Sequence, residues 1–145
     1  MPIMTETIEN TSITTDLNLR PTQDQRKTIR IFLVDDSLNF LESATRYIKM
    51  YPSIQIVGWS TSKQRVFEEI ELAKPDVVIM GLVMPGLNGI DATRKLKKMS
   101  AGTKVIIISF QDGPEYRASA EASGAEAFFS KMDFCDKVIP FIDGL

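Results

Sequence analysis

Five short apolar runs, each followed by a segment with helical spacing, constrain this 145-residue chain more than any other feature. Residues 29–34 form the first run, rich in β-branched side chains, and lead into Asp35-Asp36-Ser37. Leu38, Leu41, Ala44 and Ile48 then recur on one helix face, which predicts a helix to about residue 50, stopped by Pro52. Residues 54–59 predict a second strand. Ser62 is placed to cap a helix whose apolar face is Val66, Phe67, Ile70 and Ala73. Val77 to Met80 is a continuous apolar run between Pro75 and the Pro85-Gly86 pair, the pattern of a strand buried on both faces and ending at Gly81. A third helix is predicted over 90–99, and 104–109 (Lys-Val-Ile-Ile-Ile-Ser) is the clearest buried strand. Pro114 suits the first turn of a short Ala-rich helix that stops at Gly124. Residues 127–129 predict a fifth strand, and 134–142 a last helix shortened or kinked by Pro140.

Strand and helix alternating in this way predict an α/β fold: a doubly wound, five-stranded parallel sheet with right-handed crossovers and five flanking helices on its two faces. The length suits one domain, expected over 28–145, and the polar, threonine-rich stretch 1–27 reads as a flexible N-terminal tail. A net charge of -2 gives no general attraction to nucleic acid or anionic membrane. The chain has no histidine, which removes Ser-His and Cys-His catalysis, histidine metal ligands and phosphohistidine chemistry from it. Its single cysteine, Cys135, allows no intrachain disulfide and fits a reducing compartment. No apolar run approaches the ~20 residues that span a bilayer, and no signal pattern opens the chain, so a cytoplasmic location is expected.

In such sheets ligands sit outside the carboxyl ends of the strands. Asp35 and Asp36 end the first strand, Gly81 the third and Ser109 the fourth, and Lys131 follows the fifth by two residues. Two carboxylates ~4 Å apart repel by about 4 kcal/mol at an effective dielectric of 20. A hard dication such as Mg²⁺, held by carboxylates, carbonyls and waters, offsets that repulsion. A serine hydroxyl and a lysine ammonium nearby suit a phosphoryl group. Each residue also has a plain structural reading. The acidic pair can be a turn and helix cap, Ser109 a strand end, Lys131 a solvated lysine and Phe128 ordinary core. The basic run Arg94, Lys95, Lys97 and Lys98 reads as a solvated helix face, with partner docking as the alternative.

Taken together, residues from about 29 to 142 resemble the receiver domain of bacterial two-component response regulators, the chemotaxis-regulator fold. That family carries an acidic pair after strand one, a phosphoacceptor Asp after strand three, Ser or Thr after strand four and Lys after strand five. Asp35-Asp36, Ser109 and Lys131 match, and the loop Met84-Pro85-Gly86-Leu87-Asn88-Gly89 matches the family's M-P-x-x-x-G. The resemblance implies a flavodoxin-like strand order of 2-1-3-4-5. It implies Mg²⁺ on Asp35, Asp36 and the Val83 backbone carbonyl, with Ser109 and Lys131 as phosphoryl partners and Phe128 as the switch aromatic. It also implies a sensor histidine kinase or phosphotransfer protein as one partner and a downstream protein or output domain as another, with homodimerisation open.

Two departures stand out. Gly81 occupies the phosphoacceptor position and cannot form an acyl phosphate; it also removes one carboxylate from the implied metal site and so weakens it. Lys131 is followed by Met132 where many members have a cis proline, which predicts a different path for this loop. The function expected is a receiver acting as a protein-interaction module and not as an enzyme. Gly81 is read either as a phosphorylation-silencing substitution in an ordinary receiver or as the mark of a natural pseudo-receiver. The chain ends at Leu145 with no helix-turn-helix, so it reads as a stand-alone receiver or one cut from a longer regulator. The alternative is a metal-dependent phosphatase-like or other ligand-binding enzyme on the same fold, with Asp35 or Asp36 as nucleophile.

Overall fold

The computed structural model describes residues 28–145, so the tail expected over 1–27 lies outside the described residues. The elements run β1 (Ile29–Val34), α1 (Leu38–Ile48), β2 (Ile54–Ser60), α2 (Val66–Ala73), β3 (Val77–Gly81), β4 (Val83–Met84), β5 (Leu87–Asn88) and α3 (Gly89–Met99). They continue with β6 (Lys104–Ser109), α4 (Pro114–Ser123), β7 (Ala127–Ser130) and α5 (Ile139–Asp143). Five parallel strands form one sheet in the order β2-β1-β3-β6-β7. Counting only these strands, this is the 2-1-3-4-5 order expected. Among the described residues no helix is long and apolar enough to cross a membrane.

The period of two along each strand splits the core into two layers. Ile31 and Leu33 of β1, Ile79 of β3, and Ile106 and Ile108 of β6 face α1 and α5, where Leu41, Ile48, Ile139 and Ile142 meet them. Their neighbours Phe32, Val78, Met80, Val105 and Ile107 face the other way, against Val66 and Ile70 of α2, Leu96 of α3 and Ala120 of α4. Strands buried on both faces have no polar side to alternate with, which is why β3 and β6 read as continuous apolar runs.

Helix termini follow local chemistry. Ser37 Oγ accepts the Phe40 N–H at 3.1 Å at the start of α1, and Asn88 Oδ1 accepts the Ile90 and Asp91 N–H groups at the start of α3. Ser62 does not cap α2: its N–H donates to Ser60 Oγ, and the helix begins only at Val66, after Arg65 in a left-handed conformation (φ 65°). The final helix is also not continuous. A 3₁₀ turn (Lys131–Asp133) leads into a wide turn (Phe134–Val138) in which the Ile139 N–H donates to the Phe134 carbonyl. Pro140, which has no N–H to give, then sits in the first turn of a short α5. The hairpin β4–β5, pairing Val83 with Asn88 and Met84 with Leu87, is an element the apolar pattern did not signal.

Candidate functional site

The parallel register carries the strand ends to one edge. Gly81 pairs with Ile108, one residue before Ser109, and Ser109 pairs with Ser130, one residue before Lys131. A cavity of about 310 Å³ opens there, lined by Asp36, Gly81, Val83, Ser109, Phe110 and Lys131 among others. Clefts of about 450 and 480 Å³ lie at the opposite end of the strands, the first lined by Glu71, Lys74, Asp76 and Thr103 among others and the second by residues such as Ile54.

Asp35 is only 1% exposed. Its Oδ1 accepts the Ser37 N–H at 2.9 Å, and its Oδ2 lies 2.7 Å from Lys131 Nζ. This contact is an ion pair and not an aligned hydrogen bond, so Oδ2 is compensated by charge alone. The lysine side chain is itself largely buried, at 11% exposure. Its ammonium sits 4.8 Å from the centroid of the Phe40 ring and 5.2 Å from that of Phe110, within reach of the negative face of each ring. Lys131 is thus held on three sides: by a carboxylate and by two aromatic rings.

Gly81 makes room for this arrangement. A Cβ at that position would lie 3.0 Å from Asp35 Oδ2 and 3.4 Å from the Val34 carbonyl oxygen. Oδ2 therefore stands in tight contact with the point where a side chain at 81 would begin. Gly89 is needed for a second close approach, since a Cβ there would run into the Gly81 carbonyl oxygen, while its N–H donates to the Leu82 carbonyl at 2.7 Å. The glycine that closes the Met84-to-Gly89 loop thereby seats α3 directly against the end of β3.

Of the remaining predicted residues, Ser109, Asp36 and Val83 line the same cavity as Lys131, and Phe128 does not. Ser109 is buried, and its Oγ accepts the Gln111 N–H at 2.9 Å. Asp36 is exposed on the cavity wall. Val83 is exposed at the start of the hairpin. Phe128 is buried in the layer beneath α4, and the Arg117 guanidinium carbon lies 5.1 Å from the centre of its ring. Arg117 Nη1 also donates to the Phe128 carbonyl at 3.2 Å. Beyond Lys131 the chain turns by a trans peptide, and the Met132 N–H donates to Ser130 Oγ at 3.2 Å, a bond proline could not make. The basic run on α3 is largely tied to its own domain: Arg94 pairs with Asp91, Lys97 with Glu126, and Lys95 lies 4.2 Å over the Phe67 ring.

The donors present do not fit a magnesium ion. Mg²⁺ asks for oxygen ligands in a near-octahedral set, usually with one or two carboxylates facing it. Asp35 Oδ2 faces Lys131, Gly81 has nothing to offer, and exposed Asp36 is the carboxylate that remains. Among the described residues no three His, Cys, Asp or Glu side chains gather as a metal cluster.

Sequence reasoning missed Phe40, Phe110 and Arg117. Phe40 lies off the stripe of Leu41, Ala44 and Ile48 that made α1 legible. Phe110, adjacent to Ser109 at a strand end, carried a positional signal, but its exposure of 68% gave no reason to single it out by pattern.

Comparison with known proteins agrees with this fold. The response regulator receiver domain family matches residues 31–142. The transcriptional regulatory protein DegU of Brevibacillus brevis is 31% identical over 111 residues, covering 77% of this chain and 47% of that protein. The chain thus spans about half the length of the curated relatives it matches. Among solved structures, the response regulator domain of Thermotoga maritima CheB superposes with a TM-score of 0.73 at 27% identity, covering 81% of this chain and 96% of that one. The signal receiver domain of NarL from Mycobacterium tuberculosis gives a TM-score of 0.72 at 25% identity, covering 82% and 99%. With the strand order, the clustered strand ends and a family match over most of its length, the chain belongs to the response regulator receiver domain family.

Proposed function

We propose that this chain is a phosphorylation-silent receiver that works as a protein-interaction module in two-component signalling. One observation carries the reading: β3 ends in a glycine at the family's phosphoacceptor position, and Asp35 Oδ2, 3.0 Å from where its Cβ would be, is paired with Lys131. A receiver normally responds to aspartyl phosphate by shifting between two states. With no carboxylate to take a phosphoryl group, that bias is absent, and signalling depends on which proteins the domain touches.

The partners that fit are a sensor histidine kinase or phosphotransfer protein, for which the domain competes without accepting a phosphoryl group, and a downstream protein or output domain. Exposed Val83 and Phe110 line the cavity, where such a partner would approach. Direct nucleic-acid binding does not suit a net charge of -2. A cytoplasmic setting suits the single exposed thiol of Cys135. The phosphatase-like alternative asks Asp35 or Asp36 to attack a phosphate ester; Asp35 is buried and ion-paired, and Asp36 has no second acid two residues on, since Asn39 and Leu38 follow Ser37.

Intact mass after incubation with acetyl phosphate and Mg²⁺ tests the reading. The expected result is no gain of a phosphoryl group. Stoichiometric phosphorylation of the chain, with Asp36 as the first residue to map, would overturn it.

A further inference from the structure

We propose that Lys131 is the resident cation of this pocket: its ammonium holds the Asp35 carboxylate that the resemblance assigns to a divalent metal, neutralises it from within and closes the site to Mg²⁺. This deepens the silent-receiver reading and rests on it for the absence of a phosphoryl group that would otherwise draw Lys131 away.

Three independent features of the geometry converge on it. First, a buried carboxylate must be compensated, and Asp35 Oδ2 has no aligned hydrogen-bond donor. Its compensation is the Lys131 charge at 2.7 Å. Second, the ammonium is prepared for that role. Phe40 and Phe110 flank it and replace part of the water it has lost, so it is not a flexible surface cation that swings in and out. Third, glycine at 81 spares the pair a tight contact. Oδ2 lies 3.0 Å from where a Cβ at 81 would be, so a side chain there would make the carboxylate give by a few tenths of an ångström.

The consequence for cations is direct. A metal ion entering the pocket meets a carboxylate already neutralised and a fixed positive charge beside it. It would have to displace that lysine from the carboxylate it holds at 2.7 Å. Exposed Asp36 supplies one carboxylate alone, too few to hold Mg²⁺ without a phosphate ligand. The lysine that the family turns toward a phosphoryl group is, in this chain, turned inward and spent on Asp35.

Nuclear magnetic resonance of the native chain, ¹⁵N-labelled at lysine and ¹³C-labelled at aspartate, tests this without any substitution. The Lys131 ammonium should give a resolved signal protected from exchange with water. Neither it nor the Asp35 carboxyl signal should move as MgCl₂ is raised through the millimolar range. Saturable shifts of both signals would overturn the proposal.

Thermal melting supplies the second arm. Mg²⁺ should leave the native Tm unchanged. Lys131→Met keeps the alkyl stem and removes the charge; its Tm should fall and be raised again by Mg²⁺, because the carboxylate pair is then open. Mg²⁺ raising native and variant Tm alike, or raising neither, would overturn the proposal. If Lys131→Met does not fold, the labelled native chain decides alone. A native chain that binds Mg²⁺ yet stays inert to acetyl phosphate refutes the resident-cation proposal and leaves the silent receiver standing. One that takes up a phosphoryl group refutes that reading itself.

Discussion

Removing one side chain at the end of β3 changes what its neighbours can do. With glycine at 81, Asp35 and Lys131 reach each other and form a buried pair at 2.7 Å. Placing a carboxylate there reverses this. Gly81→Asp sets a Cβ 3.0 Å from Asp35 Oδ2 and adds a like charge beside it, a repulsion of up to about 4 kcal/mol at ~4 Å. The variant should melt at a lower temperature than the native chain in chelator and regain stability in Mg²⁺, which supplies the missing counter-charge. A Gly81→Asp chain that melts higher than the native one in chelator would refute the geometry. A second residue-scale prediction concerns Tyr47, whose hydroxyl lies 3.4 Å from that of Tyr51. The hydrogen bond to Tyr51 pushes the Tyr47 phenol up from 10.0 to about 12. Because the ionised form is the disfavoured one, the contribution of this pair to stability is complete below pH 10 and is lost as the pH rises through about 12. Phenolate absorbance should show one late-titrating tyrosine in the native chain, and Tyr51→Phe should return it toward the ordinary range.

Elements place these side chains, and their ends matter most. Asn88 stops the β4–β5 hairpin and starts α3 by accepting two N–H groups. Asn88→Ala should cost about 1 kcal/mol in urea unfolding, the usual effect of losing such a cap. No loss would mean that Gly89, packed on the Gly81 carbonyl, holds the helix start by itself. The 3₁₀ turn after β7 is stapled by the Met132 N–H on Ser130 Oγ. The five strands of the main sheet and the first four helices were legible because apolar runs, 3.6-residue spacing and Pro or Gly at helix ends are local properties. The hairpin was not, since two residues in each arm give no period to detect. The wide turn at Phe134–Val138 was not either: a single turn of five residues is too short to show whether it closes on the fourth or the fifth residue.

At the scale of the molecule, stability and function lie in different places. The centre of the sheet is sealed: Ile79, Ile106 and Ile107 have at most 1% exposure. Ile107→Ala leaves a cavity between β6 and the α2–α3–α4 layer and should cost about 2–5 kcal/mol. Phe110→Ala removes a ring that is 68% exposed and should change stability by no more than about 0.5 kcal/mol. It should nevertheless hasten exchange of the Lys131 ammonium with water, because one wall of its enclosure is gone. If Phe110→Ala unfolds the chain as readily as Ile107→Ala, the division between a sealed core and an adaptable rim is wrong.

The sequence by itself determined the five strands of the main sheet, the burial of β3 and β6 and the edge at which Asp35, Gly81, Ser109 and Lys131 assemble. Periodicity follows from backbone geometry, and a parallel sheet with helical crossovers must bring all carboxyl ends to one side. Only the tertiary structure decided how those residues use one another. That Lys131 turns to Asp35, that Phe40 and Phe110 enclose it, and that Arg117 lies over Phe128 depend on side-chain direction between segments far apart in the chain. Spacing along a chain sets which residues share an edge. It does not set which charge finds which partner, because that choice is made by burial, and burial exists only once the layers have closed.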